Sequence, residues 1–158
     1  MRKTLHKFLS KLQHPDVYFM HSDMWGFPTK GNVINCGVQE ANMINIAAGL
    51  ASQGKKVVIY GVAGFVIYKA YAQIKLNIKG WAENHGSIVF ANAGYNGCYQ
   101  YSGRGHLVYD DHILMQALDI PLYDPPDRRT FLRNVKEGLQ TTGVRFIRLG
   151  WDNEVWQK

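Results

Sequence analysis

Residues 37–63 read GVQEANMINIAAGLASQGKKVVIYGVA. The first part has helical periodicity: Ala41, Ile44, Ala48 and Ala51 stack along one face, and Met43, Ile46, Ala47 and Leu50 widen it. Gly54 follows as a helix C-cap. The next apolar run, KKVVIYGVA, is continuous rather than alternating, as in a parallel strand buried on both faces. A buried helix feeding such a strand is half of a βαβ unit, so the stretch predicts an α/β fold. One residue does not belong to this apolar logic. Glu40 places a carboxylate at the head of the helix.

The flanks repeat the pattern. Residues 3–12 have helical spacing through Leu5, Phe8, Leu9 and Leu12, and Val17 to Met20 forms a short strand. A Ser-, Asp-, Gly- and Pro-rich loop covers 21–32, and Val33 to Cys36 is extended. Beyond the central unit come a helix over 65–78, a buried strand over 87–91 and a glycine- and tyrosine-rich loop over 94–105. They are followed by a helix over 108–118, a short strand over 121–123, a helix over 129–139 capped by Asp127, and a last strand over 144–149. Strands alternating with helices predict three α/β/α layers around a mainly parallel sheet, in one domain spanning 1–158.

Composition narrows the function classes. The chain has 158 residues and a net charge of +6. Its basic residues are scattered, with small clusters at Lys55–Lys56 and Arg128–Arg129, and lack the concentrated basic face of a nucleic-acid binder. A positive field that draws in anionic substrates or an acidic partner is the milder reading. Cys36 and Cys98 have no metal or disulfide spacing and read as buried thiols in a reducing compartment. No signal peptide and no membrane-length apolar run is present, so a cytoplasmic protein without nucleic-acid or membrane partners is expected.

Several motifs invite chemistry. GLASQGKK fits the GxxxxGK spacing of a phosphate loop, but it ends a helix instead of opening one, and Lys56 stands where a Ser or Thr must meet magnesium. In YDDHI (109–113), Asp110, Asp111 and His112 fan out around a helix and cannot all face one ion, so the acids read as favouring the helix N-terminus, and no metal site is expected. The loop GYNGCYQYSGRGH (94–106) lacks the strand–GxGxxG–helix context of a dinucleotide site. Its glycines serve tight turns or let backbone approach a ligand beside His106. FVIYKAYAQIKL places Phe65, Tyr68 and Tyr71 at i, i+3 and i+6, one face of a helix.

Together these pieces resemble the pyrimidine-binding domain of the transketolase family. The resemblance rests on NCGVQEANMINIAAGLASQGKKVVIYGVAGFVIYKAYAQIKLNI (35–78), with HSD (21–23), ANAG (91–94), the loop ending at His106, YDDHILMQALDIPLYDPPD (109–127) and RFIRLG (145–150) in the expected order. It implies the thiamine diphosphate-binding fold and a thiamine diphosphate cofactor with Mg2+. It also implies a role for Glu40, as the family's glutamate that hydrogen-bonds a ring nitrogen of the aminopyrimidine. By doing so Glu40 would favour the tautomer whose exocyclic nitrogen deprotonates the thiazolium carbon, with the cofactor as electron sink. Phe65, Tyr68 and Tyr71 match the aromatics that cradle the ring. His106 matches the histidine lining the substrate channel, and Arg148 an arginine that meets a sugar phosphate.

The departures fall on the substrate side. Tyr101-Ser102-Gly103 replaces an acidic Glu-Asp-Gly, Gly105 replaces a threonine before the histidine, and neutral Asn92 stands near a basic histidine of many relatives. Ser102 and Asn92 are thus expected at the substrate, which is an unusual sugar or one without a phosphate. The chain also has no Gly-Asp-Gly, the motif through which a diphosphate domain binds magnesium. The diphosphate-binding and C-terminal domains are therefore expected to be absent from this chain, with a separate subunit carrying the diphosphate-binding domain and a heterotetramer as the assembly. The expected activity is transfer of a two-carbon ketol unit between sugars by a split transketolase-like enzyme. The alternatives are the pyrimidine-binding subunit of a 2-oxoacid decarboxylase and a non-catalytic regulatory or binding module.

Overall fold

Six strands form a sheet in which every neighbouring pair runs parallel. They are β1 (Val17–His21), β2 (Val33–Asn35), β3 (Lys56–Tyr60), β4 (Ser87–Ala93), β5 (Leu122–Tyr123) and β6 (Gly143–Leu149), in the order β2-β1-β3-β4-β6-β5. The computed structural model describes residues 2–24, 30–95 and 99–150. Cys98 lies outside them. Four regular α-helices, α1 (Arg2–Lys11), α2 (Glu40–Ser52), α4 (Asp111–Ala117) and α5 (Arg128–Gln140), join a mixed helix over 65–79 that contains α3 (Ala70–Gln73). The three-layer parallel α/β architecture expected from the sequence is present.

The two-residue period of the strands divides the core between the sheet's two faces. Val57, Ile59, Ile88, Phe90, Val144 and Phe146 point toward α2, the 65–79 helix and α4. Val58, Tyr60, Val89, Ala91, Phe131 and Ile147 belong to the opposite cluster, with Leu5 of α1 and Val135 and Leu139 of α5. The central strands β3 and β4 are buried along almost their whole length, which is why they read as unbroken apolar runs. The edges are short: β2 has three residues and β5 two.

The helix over 65–79 departs from the regular helix that its sequence suggests. Wide π turns at Phe65–Lys69 and Ile74–Lys79 flank the α turn. Of its buried positions, which also include Ile67, the set Val66, Ala70, Ile74 and Ile78 is spaced four residues apart. In an α-helix that spacing drifts by about 40° per step, whereas wider turns keep the stripe facing the sheet. Along this helix Phe65 and Tyr71 are half-buried and Tyr68 is exposed.

Other local expectations have concrete partners. Asp127 caps α5 by accepting a 2.7 Å hydrogen bond from the Thr130 backbone N–H, and this bond holds the Asp127 carboxyl below its usual pKa. Gly54 closes α2 with a φ of +76°, and Lys55 next to it pairs with Asp16 at 2.6 Å. This is a helix end, not a phosphate loop. Cys36 is half-buried, not buried, and burial raises its thiol pKa. Among the described residues no helix is long and apolar enough to cross a membrane.

The chain leaves β1 for β2 on one side and returns to β3 on the other. That reversal opens a crevice at the C-terminal ends of β1 and β3, the place where open parallel sheets bind ligands.

Candidate functional site

Glu40 is the first residue of α2 and only 3% exposed. It shares a helix face with Ile44, Ala47 and Ala51, so helical phase turns its side chain inward. A carboxylate withdrawn from water needs a partner. The Lys69 ammonium supplies one, with Nζ 3.6 Å from Oε2. The same ammonium lies over the Phe65 ring, 4.6 Å from its centroid.

On its other side Phe65 meets His106 edge to face, with ring centroids 4.7 Å apart. Glycines create this contact. A Cβ on Gly64 would come within 2.7 Å of the Gly105 carbonyl oxygen, and one on Gly94 within 3.0 Å of the His106 carbonyl oxygen. The glycine-rich loop therefore serves a close backbone approach, besides its turns. The His106 Nδ1 is buried and has no hydrogen-bond partner among the described residues.

Tyr68 leaves this cluster for α4, where its hydroxyl donates to the Asp110 carboxylate. Loss of water and that carboxylate push its pKa up to about 12. Tyr71 packs its half-buried ring against the core under α2. Of the three aromatics, Phe65 is the one that touches both Lys69 and His106 among the described residues.

Asn92 and Arg148 lie in register on β4 and β6. Asn92 is fully buried, and its Oδ1 accepts the Gly61 N–H at 3.0 Å, tying the end of β3 to β4. Its Nδ2 has no hydrogen-bond partner among the described residues. Arg148 is held by two carboxylates. Its Nε and Nη2 donate to Asp111 at 3.0 and 2.8 Å, and Nη1 donates to Asp124 at 2.7 Å. The bidentate bond to Asp111 comes first among the causes that raise the Arg148 pKa. The guanidinium also stacks over the Tyr95 ring at 5.0 Å, and burial followed by the Asp111 carboxylate drives the Tyr95 pKa upward. Ser102 lies exposed in the short turn Gln100–Ser102.

The YDDHI residues fan out as helix geometry requires: Asp110 to Tyr68, Asp111 to Arg148, and His112 to solvent. Among the described residues no group of three or more His, Cys, Asp or Glu is placed to hold a metal ion.

Two residues at the site escaped sequence reasoning. Lys69 meets a carboxylate far away in sequence, and nothing in its own neighbourhood marks it. His21, at the C-terminal end of β1, is 7% exposed, with Nδ1 accepting the Met24 N–H at 3.1 Å, and burial lowers its pKa. The HSD stretch pointed to this loop without singling out the histidine.

Chemically, the arrangement offers a buried carboxylate able to share a proton with a ring nitrogen, an aromatic face beside it and an imidazole at the lip. A guanidinium and an amide lie further along the same sheet face.

No family model matches the chain. It is 26% identical over 149 residues to a subunit of the apulose-4-phosphate transketolase of Phocaeicola vulgatus, covering 87% of this chain and 46% of that protein. It is 28% identical over 120 residues to the 6-deoxy-6-sulfo-D-fructose transketolase subunit SqwH of Clostridium sp., covering 75% and 36%. The chain thus spans less than half the length of these curated relatives. A solved structure described as a split-gene transketolase, an inactive beta4 tetramer, superposes with a TM-score of 0.73 at 24% identity, covering 94% of this chain and 50% of that one. The resemblance to transketolase read from the sequence is borne out by these likenesses, and the fold is the one found in transketolase.

Proposed function

We propose that this chain is the pyrimidine-binding part of a split transketolase-like enzyme, which transfers a two-carbon ketol unit between sugars with thiamine diphosphate and Mg2+. The observation that carries the reading is Glu40, a carboxylate 3% exposed at the head of a buried helix, with the Phe65 ring beside it. A scaffold has no need of an acid there. An aminopyrimidine does, because it presents a ring nitrogen to a proton-sharing carboxylate and a flat face to an aromatic side chain. The residues therefore fit the group.

Bound thiamine diphosphate would supply a nucleophilic carbon and an electron sink for cleaving a carbon–carbon bond. In this reading Glu40 shares a proton with the ring nitrogen, and Phe65 limits the ring's tilt. His106, held against Phe65 at 4.7 Å, orients or protonates substrate oxygens at the channel. Arg148 meets the distal end of the substrate, with exposed Asp124 as the exchangeable partner and buried Asp111 as the permanent one. Exposed Ser102 lines the approach, and buried Asn92 offers its Nδ2, unpartnered among the described residues, beneath it. Tyr68 and Tyr71 border the ring site through the strut to Asp110 and the packing under α2.

The diphosphate and its metal need a second polypeptide carrying a Gly-Asp-Gly motif, and a heterotetramer with two cofactor sites is the assembly proposed. The relatives named as acting on apulose 4-phosphate and on 6-deoxy-6-sulfo-D-fructose both handle modified sugars. A modified sugar is accordingly the substrate class proposed here.

The test is capture of the partner with the tagged chain in the presence of thiamine diphosphate and Mg2+, then a ketol-transfer assay of the pair. Glu40→Ala is expected to lower kcat by about 10²–10⁴-fold, the range for a lost proton-transfer group. Full activity in that variant would refute the role of Glu40. Release of carbon dioxide from a 2-oxoacid would assign a decarboxylase instead.

A further inference from the structure

We propose that Lys69 is the resident counter-ion of Glu40 and lies in the ring site of the unliganded chain, so that the aminopyrimidine must displace it. The displacement rests on the cofactor reading above; the ion pair does not.

Three observations carry the proposal. First, the Lys69 ammonium meets the buried Glu40 carboxylate at 3.6 Å. Without it a carboxylate 3% exposed would face apolar neighbours. Second, the same ammonium covers Phe65 at 4.6 Å. A carboxylate and the face of that ring are the two contacts an aminopyrimidine requires, so cation and ring cannot both hold them. Third, Lys69 can leave. It stands four residues after Phe65, on the same side of the helix, and its side chain is 52% exposed. A rotation of its long stem returns the ammonium to water while the helix stays in place.

Lys69 thereby becomes a positioning residue. It holds the Glu40 carboxylate while the site waits, and it sets a threshold that a ligand passes only by offering both a donor to Glu40 and a face to Phe65.

The test has two parts. Thermal unfolding of the full chain is compared for wild type, Lys69→Met, Glu40→Gln and the double variant. Lys69→Met is expected to lower Tm by about 2–4 °C, the shift that a modest loss produces in a chain of this size. The same change in the Glu40→Gln background is expected to do almost nothing, and Lys69→Arg to restore most of the loss. Equal shifts in both backgrounds overturn the ion pair. Calorimetric titration of the assembled complex with thiamine diphosphate and Mg2+ then tests displacement. Lys69→Met is expected to bind about five- to tenfold more tightly, the factor allowed by one ion pair with a half-exposed ammonium and one cation–π contact. Unchanged or weaker binding overturns displacement. A wild-type complex that binds no thiamine diphosphate refutes the cofactor reading and displacement with it, while the unfolding comparison still decides the ion pair.

Discussion

Asp111 is a carboxylate with no exposed surface, at the first position of a seven-residue helix. It is tolerable because Arg148 meets it with two parallel donors, and Asp124 and the Tyr95 ring hold the rest of the guanidinium. Removing one partner of such a pair leaves an uncompensated buried charge. Position 148 is thus structural as well as a candidate for substrate contact, and its variants will confound the two roles unless stability is measured alongside activity. His21 offers a cleaner reading. Burial lowers its pKa, so the folded protein prefers the neutral ring, which also keeps Nδ1 available to the Met24 N–H. Below the unfolded histidine value of about 6.5 the unfolded chain takes up a proton that the folded one resists. Stability is therefore full above that pH and falls as pH drops through the window beneath it. Tm is expected to be lower at about pH 5.5 than at about pH 7.5, with a shallower decline in His21→Gln. An identical pH profile in the variant would show that His21 is not the group responsible.

At the scale of elements, the 65–79 helix and the glycine loop act as one unit. Gly64 and Gly105 let the helix start approach the loop backbone, and this approach brings His106 onto Phe65. Gly64→Ala puts a Cβ 2.7 Å from the Gly105 carbonyl, a backbone atom that cannot move alone. The loop must shift, and His106 with it. The expected result is a loss of about 1–3 kcal/mol in stability and, in the split-enzyme reading proposed above, a larger proportional loss of activity. Calorimetric unfolding and kcat measured on the same preparations check this, and a fall in stability with kcat intact would separate His106 from the site. Much of this unit was legible in the sequence: the helix, the loop, Glu40 and His106. The π turns were not, because apolar residues four apart, such as Val66, Ala70, Ile74 and Ile78, also suit an ordinary helix. Those apolar residues, and not the aromatics, decide which way the helix faces. The Lys69 contact was equally hidden, since an ion pair across two helices leaves no local pattern.

Across the whole molecule, the two faces of one sheet carry two core clusters that share its strands. Phe146 and Phe131, both without exposed surface, stand in opposite clusters. Each change to Ala is expected to cost about 3–5 kcal/mol. Because both faces depend on the same strands, unfolding followed by near-ultraviolet and far-ultraviolet circular dichroism should remain a single coincident transition in either variant. Two separated transitions would mean that the faces melt independently. The layer order was readable from β3 and β4, whose unbroken apolar runs admit no other placement. The placement of Arg148 between Asp111 and Asp124 was not, since it depends on how β6, α4 and the β5 edge come together in space.

The brevity of the outermost strands has a consequence for the lifetime of the chain. A parallel sheet exposes a row of unpaired amides and carbonyls at each border, and long borders recruit other chains into aggregates. Here the borders are three and two residues long, too little to template another strand. In the split-enzyme reading proposed above, a copy of the chain made in excess of a partner would therefore offer little strand border through which to aggregate.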